Sequence, residues 1–235
     1  MAILAGVLVV ILLLGFLIYA SASIGSGVYV KAMTCVQTQS RKVVLSFDDG
    51  PDPKSTPQVL DFLAERGIKA VFFCVGYKVR QHADIVARIR REGHQVGIHT
   101  WSHSPLFPLF GTWRIMKELK ETQRIIEEVT GWRSPFFRPP FGVTTPSVAR
   151  AVSRLGMCIV GWSARSFDTT PLSSRAILRR VRRRIRPGAI ILLHDRVVRS
   201  LGLLQSLVGE LDAQGYSTML LPSIEAESGH INREA

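Results

Sequence analysis

Short apolar runs alternate with longer segments of mixed polarity along most of the chain. The runs are rich in Val, Ile, Leu and Phe and show no polar alternation, which is typical of strands buried on both faces. The predicted strands cover residues 43–45, 70–75, 95–98, 134–138, 157–162, 189–193 and 217–220.

The segments between these runs place apolar residues three or four positions apart, which predicts amphipathic helices. The first has Ser55 and Thr56 as capping candidates, Pro57 in its first turn and Gly67 at its end. The predicted helices cover residues 56–66, 81–92, 112–129, 146–155, 173–185 and 201–214. Because strands that alternate with helices form parallel sheets with right-handed crossovers, we predict an α/β barrel with about seven parallel strands.

The first part of the chain is apolar and uncharged over residues 2–20. A run of this length predicts a transmembrane helix, which we expect to be an uncleaved anchor. Two alternatives are a cleavable signal peptide, with Ala20-Ser21-Ala22 as the cleavage site, and a buried core helix. The expected organisation is an anchor or signal segment at 1–22, a linker at 23–41, a catalytic domain at 42–222 and a C-terminal tail at 223–235.

The formal net charge is +12, but the basic residues are unevenly distributed. Seven arginines fall between Arg175 and Arg186 with no acidic residue among them. Such a cluster favours contact with an anionic envelope polymer or lipid, and the alternative is a solvated helix face. We expect no nucleic-acid partner. The three cysteines, Cys35, Cys74 and Cys158, are predicted to be reduced, because their number is odd and Cys74 and Cys158 lie within apolar runs. Their spacing does not indicate a thiolate metal site.

Chemically capable side chains follow five of the predicted strands. Parallel α/β folds place their functional sites at the carboxyl ends of strands, so these side chains are expected to converge. They are Asp48 and Asp49 after the first strand, His99 and His103 after 95–98, Arg138 at the end of 134–138, Asp168 beyond 157–162, and His194 after 189–193.

Three of these residues form a candidate metal site. The spacing of His99 and His103 would bring two imidazoles to one side of a helical turn, and Asp49 offers a carboxylate from another strand end. Two histidines and one carboxylate leave coordination positions open, which indicates hydrolysis by metal-activated water. The alternatives are a surface pair of histidines and an ordinary turn at the two aspartates.

The remaining strand-end residues fit acid–base chemistry. Asp48 is the expected base and His194 the expected acid, although His194 could also be an ordinary buried histidine. Arg138 could pair with Asp48 and keep it ionised. The backbone N–H of Phe141, the first after two prolines, could donate to an oxyanion.

The same segments occur in the order and approximate spacing of the five motifs of polysaccharide deacetylases, carbohydrate esterase family 4. The chain resembles that family over residues 42–222. The segments are Phe47-Asp48-Asp49-Gly50-Pro51, His99 to His103, Arg138-Pro139-Pro140-Phe141-Gly142, Trp162 to Asp168, and Leu192-Leu193-His194-Asp195.

This resemblance implies a distorted (β/α) barrel that removes acetyl groups from glycans with a divalent metal. Zn²⁺ is the expected metal, with Co²⁺, Mn²⁺ or Ni²⁺ as alternatives. The implied metal ligands are Asp49, His99 and His103, the catalytic residues are Asp48, His194, Arg138 and Asp168, and the substrate-binding residues are Pro140, Phe141, Trp162 and Leu192. The first expected substrate is a peptidoglycan-type N-acetylglucosamine polymer, and the second is a chitin-like one. An O-acetyl esterase and a degenerate glycan-binding protein are alternatives.

Two features depart from the family pattern. The fourth motif often has two aspartates three residues apart followed by Trp, whereas this chain keeps only Asp168 and has Arg165 and Thr169 at the other positions. The resemblance therefore does not define the shape of the substrate groove beside the fourth motif. The charges that follow the apolar segment, from Lys31 onwards, favour a cytoplasmic domain. Since the family acts mostly outside the cytoplasm, we expect a membrane-anchored domain on the extracytoplasmic side.

Overall fold

The computed structural model describes residues 1–197 and 199–223. Within these residues nine strands form one sheet, and every pairing between them is parallel. The strands are β1 (Ala32–Met33), β2 (Lys42–Asp48), β3 (Val71–Cys74), β4 (Gln95–Ile98), β5 (Phe136–Phe137), β6 (Cys158–Val160), β7 (Ala164–Arg165), β8 (Ile190–His194) and β9 (Ser217–Thr218).

Helices connect most of these strands, as the alternating pattern predicts. The α-helices of the described residues are α1 (Ala2–Ala22), α2 (Thr56–Glu65), α3 (Gly76–Gln81), α4 (Ala83–Arg91), α5 (Thr112–Thr130), α6 (Pro146–Leu155), α7 (Ser174–Arg182) and α8 (Ser200–Ala213). Residues 81–92, which the periodicity predicts as one helix, form parts of α3 and α4 instead. The break lies at His82, whose backbone leaves the helical region at φ −134° and ψ 51°.

The strand order is β1-β6-β5-β4-β3-β2-β8-β7, and β9 pairs with the start of β2. The sheet curls into a half-barrel with β1 and β7 at its edges, which confirms the predicted α/β fold. These two edge strands were not predicted, because two residues are too few to show a period. β1 lies inside residues 23–41, the range expected to be a linker.

The two faces of the sheet bury different sets of side chains. In β2, Val43, Leu45 and Phe47 pack into the large core beneath the helices, whereas Val44 packs into a smaller cluster on the other face. Because strand side chains alternate, Ser46 and Asp48 share the face of Val44. That smaller cluster fills the interior of the half-barrel. It contains Val36, Val44, Val71, Phe73, Phe136, Val160, Ile190 and Leu221.

Helix α1 is exposed along most of its length but contacts the domain at its C-terminal end. It is long and apolar enough to cross a membrane, a property that anchors and signal sequences share. Ala20 and Ile24 are buried, and the backbone N–H of Thr144 donates to the Ser21 carbonyl at 3.0 Å. The expected tail at 223–235 lies outside the described residues except for Ser223.

Candidate active site

The strand ends bring the predicted acid–base residues together. Asp48 and His194 are the last residues of β2 and β8, and they face each other in the parallel register of these strands. Arg138 directly follows β5 and lies one strand period from Phe136, so it shares that residue's interior face. All three side chains therefore project into the same end of the half-barrel.

Arg138 is completely buried, and each of its three guanidinium nitrogens donates to an oxygen of the protein. Nη1 donates to Asp48 Oδ1 at 2.6 Å and to Ser46 Oγ at 3.0 Å. Nε donates to the Val160 carbonyl at 3.1 Å, and Nη2 to the Gly161 carbonyl at 2.9 Å. A buried charge of this kind is stable only with such partners, so Arg138 and Asp48 act as one unit.

A loop, not a helical turn, brings His99 and His103 together, so the predicted helical turn is wrong. Thr100 and His103 have positive φ angles of 63° and 46°, which reverse the chain after β4. Asp49 has φ of 72°, and this turn separates its side chain from that of Asp48. Positive φ is uncommon in non-glycine residues and clusters at functional sites.

The Asp49, His99 and His103 side chains fit a metal ion. Asp49 Oδ1 lies 3.3 Å from His99 Nε2 and 3.0 Å from His103 Nε2, and the ligand atoms of the three residues lie within 4.8 Å of one another. His99 Nδ1 is 2.7 Å from the Arg138 carbonyl, which can only accept a hydrogen bond. His99 Nδ1 therefore donates to this carbonyl and holds Nε2 towards the Asp49 carboxylate, where a bound cation would take the place of the Nε2 proton.

The environment of Asp49 keeps its carboxylate ionised. Burial raises the pKa of Asp49, but hydrogen bonds with His103 and His99 outweigh burial and hold the pKa well below its usual range. Arg196 Nε also donates to Asp49 Oδ2 at 2.6 Å. Arg196 is not among the predicted site residues, although it lies only two residues after His194 in the sequence.

His194 is held by Asp168 through two contacts. His194 Nδ1 lies 2.7 Å from Asp168 Oδ1, and the His194 backbone N–H donates to Asp168 Oδ2 at 2.8 Å. Burial lowers the pKa of His194, but the hydrogen bond and charge of Asp168 outweigh burial and raise it. Asp168 itself is fixed by the Ser166 hydroxyl at 2.8 Å. This pair therefore favours a protonated imidazole beside the site.

A cavity of about 130 Å³ lies between the metal-binding residues and the acid–base residues. Phe141, Trp162 and Leu192 contribute to its lining, whereas Pro140 is buried and lies outside the lining. Trp162 packs against Gly142, where a Cβ would come within 2.4 Å of the indole ring. The other lining residues are Asp48, Asp49, His99, His103, Gly142, Arg165, Thr169, His194 and Arg196.

Asp195 follows His194 but points away from the cavity towards the loop after β2. Thr56 Oγ1 donates to Asp195 Oδ2 at 2.6 Å, and a Cβ at Gly50 would lie 2.4 Å from that oxygen. Burial raises the pKa of Asp195 to about 7. Glycine at position 50 therefore lets the ends of β2 and β8 approach closely, which keeps Asp48 and His194 in place.

The sequence profile described as polysaccharide deacetylase matches residues 36–160, which is more than half of the chain. The chain belongs to the polysaccharide deacetylase family. A chitooligosaccharide deacetylase of Sinorhizobium fredii (strain NBRC 101917 / NGR234) is 33% identical over 168 residues, which cover 71% of this chain and 78% of that protein.

Two further relatives carry peptidoglycan in their names. The peptidoglycan-N-acetylglucosamine deacetylase PgdA of Listeria monocytogenes is 31% identical over 195 residues, which cover 83% of this chain. The match spans only 41% of the length of that relative. Among solved structures, the Bc1960 peptidoglycan N-acetylglucosamine deacetylase has a TM-score of 0.76 at 29% identity, covering 81% of this chain and 91% of that one.

Proposed function

We propose that this family member is a metal-dependent hydrolase that removes acetyl groups from N-acetylated glycans. The observation that carries the proposal is the cluster of Asp49, His99 and His103 directly beside two paired units, Asp48 with Arg138 and His194 with Asp168. Peptidoglycan-type N-acetylglucosamine is the first substrate and a chitin-like oligomer the second, in keeping with the names of the relatives.

Asp49, His99 and His103 would hold the metal, and Zn²⁺ suits two imidazoles and one carboxylate. Co²⁺, Mn²⁺ and Ni²⁺ are alternatives with the same ligand types. When bound, the ion supplies a Lewis acid that polarises a carbonyl oxygen and makes water more acidic. The Nδ1 contact of His99 with the Arg138 carbonyl orients that ligand before any ion arrives.

The side chains of this protein would carry the proton transfers. Asp48 accepts the proton of the attacking water, and the hydrogen bond from Arg138 fixes its orientation. The backbone N–H of Phe141 donates to the acetyl oxygen as negative charge develops there. His194, protonated and held by Asp168, gives its proton to the departing amine. Leu192 and Trp162 form the apolar wall beside the acetyl methyl group.

We place the domain outside the cytoplasm, with α1 as its membrane anchor. The 21 residues of α1 span about 31 Å, close to the hydrocarbon thickness of a bilayer. A cell-wall glycan is reached only after export, so the substrate class argues against the orientation that the charges from Lys31 onwards favour. A cleaved signal segment remains the alternative for α1.

Acetate release by the full chain in neutral detergent tests the activity. The substrates are an N-acetylglucosamine tetramer and peptidoglycan, and the protein is first treated with chelator and then supplied with Zn²⁺ or Co²⁺. We expect release only after a metal is returned. If metal binds and neither substrate yields acetate, the N-deacetylase proposal is wrong. Release from an O-acetylated glycan would then favour an esterase, and no release from it would favour a glycan-binding protein.

A further inference from the structure

A second cavity, of about 360 Å³, adjoins the active site on the side where the fourth motif departs from the family pattern. We call it the arginine groove. Its charged lining residues are all basic: Arg165, Arg180 and Arg184. The other lining residues are Ala22, Ser23, Ile24, Gly25, Trp162, Ser163 and Phe167.

The guanidinium groups of this groove have no anionic partner among the described residues. None of Arg165, Arg180 and Arg184 forms an ion pair with a described carboxylate, whereas their neighbour Arg182 pairs with Glu210 at 3.2 Å. Partial burial lowers the pKa of Arg165, and the nearby charge of Arg180 lowers it further, against the opposing effects of Asp48 and Asp168. An added anion would relieve this repulsion.

The end of helix α1 makes no hydrogen bond to these guanidinium groups among the described residues. Three carbonyl groups near its end accept from other donors: Tyr19 from the Ser23 N–H at 3.1 Å, and Ser21 from the Thr144 N–H at 3.0 Å. The Ala20 carbonyl accepts from the Ser26 hydroxyl at 3.0 Å. The guanidinium groups therefore remain available to a ligand.

Two arginines of the groove are held in place by one aromatic ring. The Cζ atoms of Arg165 and Arg180 lie 4.6 Å and 4.2 Å from the centroid of Phe167. Contacts of this kind orient a guanidinium without using its donors. Both groups can therefore bind an oxyanion with little loss of side-chain freedom.

The groove adjoins the catalytic cavity at Arg165 and Trp162, which line both. Arg165 is the last residue of β7 and pairs in register with Leu192 of β8. His194 lies two residues beyond Leu192 and so projects to the same face of the sheet. A sugar bound between Leu192 and His194 would therefore have its neighbouring substituents within reach of Arg165.

We propose that the arginine groove binds an oxyanion that is covalently part of the glycan substrate, a phosphate or a carboxylate next to the N-acetylated sugar. This rests on the proposed deacetylase function and narrows its substrate to anionic glycans. Arg165 is the specificity-determining residue, because it alone of the three arginines lines both cavities.

Steady-state kinetics of the full chain in neutral detergent tests the proposal with three matched oligomers. They are the N-acetylglucosamine tetramer, the same tetramer with a 1-phosphate, and a tetrasaccharide of alternating N-acetylglucosamine and N-acetylmuramic acid with free carboxylates. We expect at least one anionic oligomer to have a KM about tenfold below that of the neutral tetramer, as a charged hydrogen bond allows. The preferred oligomer identifies phosphate or carboxylate as the ligand.

Variants then locate the effect. Arg165→Gln and Arg180→Gln should each raise the KM of the preferred anionic oligomer about tenfold and leave its kcat within about twofold. Arg183→Gln is the matched control, because Arg183 is exposed on the same segment but lies outside the groove. Equal KM values for all three oligomers, or equal losses on neutral and anionic oligomers in Arg165→Gln, would overturn the proposal.

A binding measurement separates this inference from the proposed activity. Titration calorimetry of the chelator-treated full chain with the deacetylated forms of the three oligomers requires no turnover. Arginine-dependent binding of an anionic oligomer supports the groove even if no acetate is ever released. If instead the variants change only the affinity of the chain for anionic over neutral lipid vesicles, the groove binds a lipid headgroup and the proposal is wrong.

Discussion

Arg138 and Arg165 lie near the same indole, with Cζ atoms 5.8 Å and 5.3 Å from the Trp162 ring, but they belong to contrasting regions. Inside the half-barrel, Arg138 is fully buried and all its donor nitrogens contact oxygens of the protein. In the arginine groove, Arg165 is exposed and makes no hydrogen bond within the described residues. The first arginine holds Asp48, the proposed catalytic base, and the second is available to a ligand.

This difference shows how burial and partners together determine what a charged side chain does. Burial lowers the pKa of Arg138, and the adjacent Asp48 carboxylate opposes that effect. The two charges are therefore mutually dependent, and losing one leaves the other buried without a partner. Arg165 has no such dependence, so its removal should leave the fold intact.

The largest expected effect is that of Arg138→Gln. We expect it to lower the free energy of unfolding by about 3–5 kcal/mol, because Asp48 is left as an unpaired buried charge. Urea denaturation followed by circular dichroism measures this loss. Arg165→Gln is the matched control, since it makes the same substitution in the groove. If both variants lost the same free energy of unfolding, the contrast between a structural Arg138 and a free Arg165 would be wrong.

Asp48→Asn should have the next largest effect, and on catalysis rather than stability. We expect kcat to fall by about 10²–10⁴-fold, the usual contribution of a general base, while the amide oxygen still accepts from Arg138. Metal content, measured by mass spectrometry after dialysis, should stay unchanged. In Asp49→Asn, by contrast, the metal itself should be lost. Near-normal kcat in Asp48→Asn would mean that the base is another residue.

Asp168→Asn should shift the pH profile. His194 acts as an acid only when protonated, so activity falls as pH rises through its pKa. Because the Asp168 carboxylate raises that pKa, its removal should move the alkaline limb of kcat to lower pH, with about tenfold lower kcat at neutral pH. Ser166→Ala, which keeps the carboxylate, is the control. An unmoved alkaline limb in Asp168→Asn would show that His194 is not the titrating acid.

The smallest effect should be that of Arg165→Gln on stability. An arginine without an ion pair contributes little, so we expect the free energy of unfolding to change by about 0.5 kcal/mol or less. The melting temperature and urea midpoint check this. A loss as large as that of Arg138→Gln would mean that Arg165 supports the fold and is not free for a ligand.

The buried parts of the fold could be predicted because their patterns are strong. Strand β4 and helix α6 have the predicted bounds, since Gly93 precedes the short apolar run of β4 and Gly156 ends the helical period of α6. The short edge strands β1 and β7 carry no period. β1 pairs with β6 and β7 pairs with β8, and in both cases the partner strand lies far away in the sequence.

The site residues could be predicted from their positions at strand ends, but the local geometry could not. His99 and His103 meet through positive φ at Thr100 and His103, and a β-branched residue such as Thr100 rarely adopts that conformation. Arg196 reaches Asp49 from the loop after β8, a contact that only the folded chain defines. The roles of these residues stay predictions until the variants are measured.

The contacts at the end of α1 have a consequence for where the protein can work. A domain on a flexible tether can move over a range of distances from the bilayer. Here Ile24 is buried and the Thr144 N–H donates to the Ser21 carbonyl in the last turn of the helix. With α1 as the proposed anchor, we expect the catalytic cavity to be held close to the bilayer, with the arginine groove, which Ala22 and Ser23 help to line, on the membrane side. The proposed activity would then act on glycan strands near the membrane and would not reach the outer layers of a thick wall.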